Sequence, residues 1–455
     1  MATVEAPTHE ARTLKSSALK EGLRKLVQAD NTTNIFYLVR TWLFLVACIG
    51  GALLFDAWRV EQGLAFWWSV PAYALAIVCI GAGQHQLTGL AHEASHHTLF
   101  RHRIANDLVS DLCCMFPLFS STHHYRLQHM AHHQFVNDPE RDPDVSQLRT
   151  SGHWLDFPLP KDEFLRTLLA QLWPLNLIRY IRVRAQYNAI GTDKNPYIKK
   201  NVKQSKLPVR VGIIYLLSMV ALLTLLVTFG QTLLLAIVPV VMWVSVMTFY
   251  AVIPKSLFHQ SRVRPVVSSR TMTFLRITFL TTLFLSIAWT THLTGHWVAI
   301  DFFLLWVMPI FTSFSFFMIL RQLVQHGNGD RGWLTNTRVF FINPMINFAV
   351  FPFGQDYHLP HHMFATVPHY RLRQLHELLL TFPEYREEAT VVEGYFAPPR
   401  HPAKHPTVVD VLGPEFAPHG DHEAFIDHSV LEGNEIEDRQ AILEQEIASK
   451  REASS

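Results

Sequence analysis

Three short stretches are crowded with histidine: "HEASHH" (His92 to His97), "HMAHH" (with His129, His132 and His133) and "HLPHH" (with His358, His361 and His362). Residues 85–133 hold 10 of the chain's 26 histidines, far more than even scattering would put there. Crowded imidazoles repel one another when protonated and want hydrogen-bond partners when neutral, so something must hold them together. On a helix, positions i and i+4, or i, i+3 and i+4, share a face. The spacing predicts that His92 and His96 point together, as do His129, His132 and His133. Neutral imidazole is a good ligand for iron, zinc, copper or nickel, and a cation gives each ring nitrogen the partner it lacks. Eight histidines exceed the four positions of one zinc ion. Two metals sharing them fit better.

The elements that must position these clusters are membrane spans. A crossing takes roughly 20 mostly apolar residues. Such runs occupy residues 36–58, 62–83, about 210–229, 232–253, 273–292 and 298–320. All six must be helical, because lipid offers backbone polar groups no partner. Lysine and arginine concentrate before the first run, ahead of the third and between the fourth and fifth, while the opposite connections carry little beyond Arg59. That bias predicts both termini and every long loop in the cytoplasm. Two spans precede the first two clusters and four separate them from the third, so all three should fall on one face. Residues 331–356, broken by Asn343, Pro344 and Asn347, are too short and polar for a seventh crossing. They are expected to fold over the site. The expected fold class is all-α: a multi-span integral membrane protein whose cytoplasmic helical cap holds a di-metal site.

Composition agrees. Charged residues are 17% of the 455, phenylalanine occurs 32 times, and the formal net charge is +2. Nothing resembles a basic stripe for nucleic acid, which is expected to be no partner. Cys48, Cys79, Cys113 and Cys114 lie in apolar surroundings without a CxxC pair and read as small hydrophobes. Residues 1–35 are polar with no apolar run of the signal-peptide type. The expected organisation is a cytoplasmic segment 1–35, a membrane domain 36–390 and a polar cytoplasmic tail 391–455, with amphipathic helices on the membrane surface between residues 155 and 190.

The three clusters, their order and the spans between them resemble the membrane fatty acid desaturase family, the histidine-box di-iron oxygenases. "HEASHH" is similar to that family's first box, "YRLQHMAHH" to its second and "HLPHHMFATVPHYRLRQLH" to its third with the trailing segment, over about residues 36–390. "RQLVQHG" (321–327) resembles its Arg-x-x-x-Glu-His-Gly element, with Gln325 in place of the glutamate. The resemblance implies His326 as a ninth ligand beside His92, His96, His129, His132, His133, His358, His361 and His362. It also implies two iron ions, O2 as co-substrate, and removal of hydrogen from two neighbouring carbons of an acyl chain to leave a double bond. Because a bare alkyl chain offers nothing polar to grip, selectivity would then come from depth in an apolar tunnel. No fused cytochrome-type or nucleotide-binding motif accompanies the boxes. Electrons are therefore expected from a separate donor such as ferredoxin or a small cytochrome, at an inner (cytoplasmic) membrane.

Other residues are expected to support the ligands. His85 lies two turns before His92; His97 follows His96 and points elsewhere; His124 is five before His129. Tyr125 and Arg126 resemble the aromatic–arginine pair that precedes that family's second box, and Arg126 is expected to hold either the helix or a carboxylate near it. Asp138 and Asp142 belong to a local acidic run, Asp356 is two before His358, and Asn347 is a candidate for contact with a bound water. Carboxylates that orient ligand imidazoles are the rule at such sites. His369 and His376 are read as anchors of a surface helix, and the histidines beyond residue 400 as solvated. Two other functions fit the same residues: a di-iron lipid or carotenoid hydroxylase or ketolase, and a metal-binding transporter. Transporters place ligands in broken spans near the bilayer midplane, whereas these clusters lie at span ends.

Overall fold

The computed structural model describes residues 13–190, 195–199, 202, 204–399, 402–417 and 424–426. His401, His419, His422, His428 and the acidic stretch after residue 430 lie outside the described residues. Among the described residues, six helical segments are long and apolar enough to cross a membrane: Thr33–Glu61, Phe66–Ser95, Leu207–Thr228, Thr232–Val252, Ser269–Thr294 and Val298–His326. They match the six expected runs in number and order.

Helix α1 (Ser17–Leu26) precedes the spans α2 (Thr33–Glu61) and α3 (Ser69–Ser95). The turn between them is fastened by Arg59 on Asp56 (3.0 Å), which also accepts from the Ser69 hydroxyl (2.5 Å). Between the second and third spans lie α4 (Arg103–Ser110), α5 (Thr122–Gln134), α6 (Pro143–Ser151), α7 (Lys161–Gln171) and α8 (Pro174–Ile190). Spans α9 (Leu207–Thr228), α10 (Thr232–Val252) and α11 (Ser269–Thr294) share an apolar core around Met219, Leu235, Tyr250 and Ile277. The sixth span is interrupted: α12 (Val298–Phe302), a π-helical turn at Phe303–Val307, α13 (Met308–Phe311), then α14 (Ser313–His326).

After α14 come β1 (Val339–Phe341), α15 (Pro344–Val350), α16 (His358–Met363), α17 (Leu372–Leu379), α18 (Pro383–Glu388), β2 (Val391–Glu393) and α19 (Val408–Leu412). β1 and β2 pair in parallel, Val339 opposite Val391, a short two-stranded sheet whose neighbours among the described residues are helices. Large apolar side chains such as Leu43, Leu54, Ile214, Leu217, Leu233 and Val252 are exposed on the outer faces of the spans. Exposure on that scale belongs in lipid, not water. The protein is an integral membrane protein of the all-α, multi-span type.

Helix α3 positions the site. From Ile80 to Ser95 every residue is buried, so this half of the helix runs through protein on all sides. Several of its polar atoms are met by neighbours: Gln84 donates to Trp306 O (2.8 Å), Gln86 to Phe348 O (2.5 Å), and His85 Nδ1 meets Ala349 O (2.8 Å). The last two partners belong to α15, so the 331–356 segment folds against the site-bearing helix as expected. Gly81 permits the close crossing of α3 and α14, since a Cβ there would lie 2.1 Å from Ser313 Oγ and 2.7 Å from Phe314 N.

Candidate metal centre

Four segments converge at one end of the helical bundle: the end of α3, helix α5, the end of α14 and helix α16. They bring nine histidines into two groups, His92, His96, His129, His133 and His361 in one, and His132, His326, His358 and His362 in the other. Within each group one nitrogen per ring lies within 4.8 Å of all the others. In the first group Nε2 of His129 is 2.9 Å from Nε2 of His96, and Nε2 of His133 is 3.0 Å from those of His129 and His361. In the second, Nε2 of His358 is 2.9 Å from Nε2 of His326 and 3.1 Å from that of His362. The groups abut, the rings of His133 and His362 stacking at 4.3 Å.

Helical geometry explains the division. Residues i+3 and i+4 straddle residue i and point about 100° apart, one residue's rotation at 3.6 per turn. On α5 the i,i+4 pair His129 and His133 serves the first group, and His132 swings to the second. On α16 the i,i+4 pair His358 and His362 serves the second, and His361 crosses to the first. The expectation that His129, His132 and His133 act together is thereby corrected: each HxxHH box straddles both groups.

The rings are locked from behind. Nδ1 of His132 lies 3.0 Å from both carboxylate oxygens of Asp142, which also caps α6 through Asp144 N. Nδ1 of His326 meets Asn336 O at 3.3 Å. Gln355 places its amide nitrogen 3.1–3.2 Å from the ring nitrogens of His92 and is itself held by Gln325, which donates to Gln355 O (2.8 Å). Glu93 Oε2 accepts from His369 N and Thr98 Oγ1, both 2.9 Å, and Oε1 approaches His92 Nδ1 at 3.4 Å. Tyr125 stacks on His129 at 5.5 Å. Arg126, 1% exposed, clamps Asp107 with both nitrogens of its fork (2.9 and 2.6 Å) and donates to Ser95 O and Ala94 O. It thereby secures the end of α3 that presents His92 and His96. His97, in a left-handed turn (φ 59), faces the same Asp107 at 4.0 Å.

The remaining expected supports stand elsewhere. Asp138 pairs with Arg141 (2.8 Å) and Arg331 (2.6 Å), Asn347 donates to Asp356 (3.3 Å), and His124 packs on the ring of His259 (4.7 Å). His85 turns to α15. Gln355 and Asn336, which do reach ligands, were not marked by the sequence. Neither is part of a histidine box, and both approach from loops whose path a local pattern does not reveal.

Burial, then neighbouring imidazoles, push His129, His133, His358, His361 and His362 well below the ordinary histidine pKa, and burial takes His96 to about 3. These rings are neutral and hold lone pairs for a cation. Burial would lower His132 too, but Asp142 and Asp144 raise it to about 9. Lone pairs facing one another at 3 Å are repulsive unless a proton or metal lies between them. The donor set therefore fits two imidazole-bound metal ions.

Residues 65–286 and 249–391 match the family model described as fatty acid desaturase. The chain belongs to the fatty acid desaturase family. Two buried histidine groups in a desaturase are consistent with a di-iron centre. Over 127 residues the chain is 32% identical to a dihydrorhizobitoxine desaturase of Bradyrhizobium elkanii, covering 28% of this chain and 32% of that one. It is 30% identical over 120 residues to the Delta(5) fatty acid desaturase fat-4 of Caenorhabditis elegans, covering 26% and 25%. A Delta 8-(E)-sphingolipid desaturase of Kluyveromyces lactis is 26% identical over 87 residues. The similarity thus spans at most about a third of these relatives' lengths.

Proposed function

We propose that this desaturase is an O2-dependent oxidoreductase that introduces a double bond into an acyl chain with electrons from a separate donor. The observation that carries the reading is the pair of buried histidine groups within a desaturase family match. His92, His96, His129, His133 and His361 would hold one iron ion, and His132, His326, His358 and His362 the other. When bound, the pair supplies an oxidant strong enough for an unactivated C–H bond. The balance is one –CH2–CH2– unit, O2, two electrons and two protons giving –CH=CH– and two waters.

The protein's part is placement. Asp142 keeps the His132 Nδ1 proton in place, leaving Nε2 for the metal. Gln355, Gln325 and Glu93 fix His92. Burial of every ligand except the half-buried His96 and His326 keeps water from competing for the oxidant. We place the site on the cytoplasmic face of an inner membrane, within a desaturase domain of residues 36–390 flanked by cytoplasmic segments. Lysine-rich connections and parity of spans support that side, where a ferredoxin or small cytochrome can dock.

Expression in a host with saturated membranes, with and without His132→Ala, tests the activity. New unsaturated chains that vanish in the variant are expected; unchanged lipids under ample iron, oxygen and reductant count against it. Labelling of a single cysteine placed at Ser205 from the cytoplasmic side only is expected for the orientation, and labelling from outside would reverse it.

A further inference from the structure

We infer that the cleft beside the two histidine groups binds a free carboxylate at Arg321, so that the substrate is an acyl chain with a free acid end that reacts within a few bonds of that end. This rests on the oxidative reading above and narrows its substrate class. A narrow cavity of about 20 Å³ lies between α5, α6, α8 and α14 and reaches histidines of both groups, His92 and His129 on one side and His132, His326 and His358 on the other. An occupant there lies against both proposed metal positions.

The rest of its wall is not that of an alkyl tunnel. It is formed by Arg321, Arg184, Asp144, Gln147, Gln128 and Asn188, among other polar groups. Nε of Arg321, Nε2 of Gln147 and Oε1 of Gln128 are buried without a hydrogen-bond partner. A methylene chain laid along them would leave all three dry and unpaired, an arrangement that buried polar groups avoid. The expected apolar tunnel does not appear at this wall.

Charge points to what is missing. Arg321 is 7% exposed, and the groups facing it are Tyr125, Arg184, Asp144 and Tyr180. Two guanidinium groups against one carboxylate leave a positive charge uncancelled, and bound metal ions would add to it. Position 325 explains why. A glutamate there would stand one turn from Arg321, at the i,i+4 ion-pair spacing. Gln325 carries no charge and spends its amide on Gln355 O (2.8 Å). The Nε of Arg321 is thus left for an anion from outside the chain, and a carboxylate matches the planar fork to which it belongs. The cavity has room for one or two water-sized groups, about the size of a carboxylate. Five residues of helix separate Arg321 from His326, roughly 7.5 Å along the axis. A chain anchored at Arg321 would present its first few carbons to the histidines.

Binding to the full-length protein, loaded with zinc in place of iron, tests this without turnover. Calorimetric titration should show octanoate binding at least about ten-fold more tightly than methyl octanoate, the worth of one charge-assisted contact. Arg321→Gln should remove that preference at unchanged zinc content, and Arg321→Lys should restore part of it. Gln325→Glu, which supplies an internal carboxylate, should remove it as well. Equal binding of acid and ester by the parent protein, or an unaltered preference in zinc-replete Gln325→Glu, overturns the inference. If Arg321→Gln loses zinc, the Gln325→Glu and Arg321→Lys proteins decide. Desaturation of intact lipid without any preference for octanoate would end the carboxylate subsite and leave the oxidative reading standing. The preference without any desaturated product would do the reverse.

Discussion

Asp142 fixes which nitrogen of His132 is free to ligate, and its charge sustains the His132 pKa of about 9. Asp142→Asn keeps the shape and the α6 cap but removes the charge. Metal affinity of the second group is expected to fall roughly 10–100-fold, read as iron retained after dialysis. Histidines outside the two groups set an acid limit. Burial lowers His153, His259 and His376 from 6.5 to about 4. Below pH 6.5 the unfolded chain takes up these protons before the folded one does. Their stabilising contribution is therefore complete above 6.5 and is lost as the pH falls to about 4. Thermal unfolding of the protein in detergent should shift to lower temperature across that window. His376→Gln, which removes the ring held by the Tyr385 hydroxyl (2.8 Å), should make the shift shallower. A midpoint independent of pH between 7 and 4.5 would contradict this.

At the scale of elements, the crossing of α3 and α14 sets how far His92 stands from His326. Gly81→Leu would drive its side chain into Ser313 and the backbone at Phe314, so the helices must part. Loss of metal from both groups, with the protein still inserted in the membrane, is the expected result, read by metal analysis of the purified variant. What the sequence disclosed follows the same logic. Spans announce themselves through length and hydropathy, and the boxes through i,i+4 spacing, because both are local patterns. The three-residue strands β1 and β2 lie some 50 positions apart and show no such pattern. Gln355 acts on His92 from 263 positions away, so its role could not be inferred from its neighbours. Asp142 was legible because it lies only ten residues from His132; Asp356, closer still to a box at two residues from His358, faces Asn347 instead.

For the whole molecule, the two proposed ions are cross-links. Each draws ligands from helices far apart in the chain, His92 and His361 in one group, His132 and His326 in the other. Ions bound to the folded state alone add to its stability by mass action. Stripping them with a chelator should lower the unfolding temperature in detergent, and restoring iron should reverse the loss; an unchanged temperature would mean that the groups hold no ion. The second crossing has a further consequence. Its 30 residues, Phe66–Ser95, extend roughly 45 Å at 1.5 Å each, whereas hydrocarbon is about 30 Å thick. In the orientation proposed above, a surplus at the Ser95 end would carry His92 beyond the acyl layer. Bulk lipid tails would then be kept away from the oxidising site, and the surrounding bilayer would be spared damage from its chemistry.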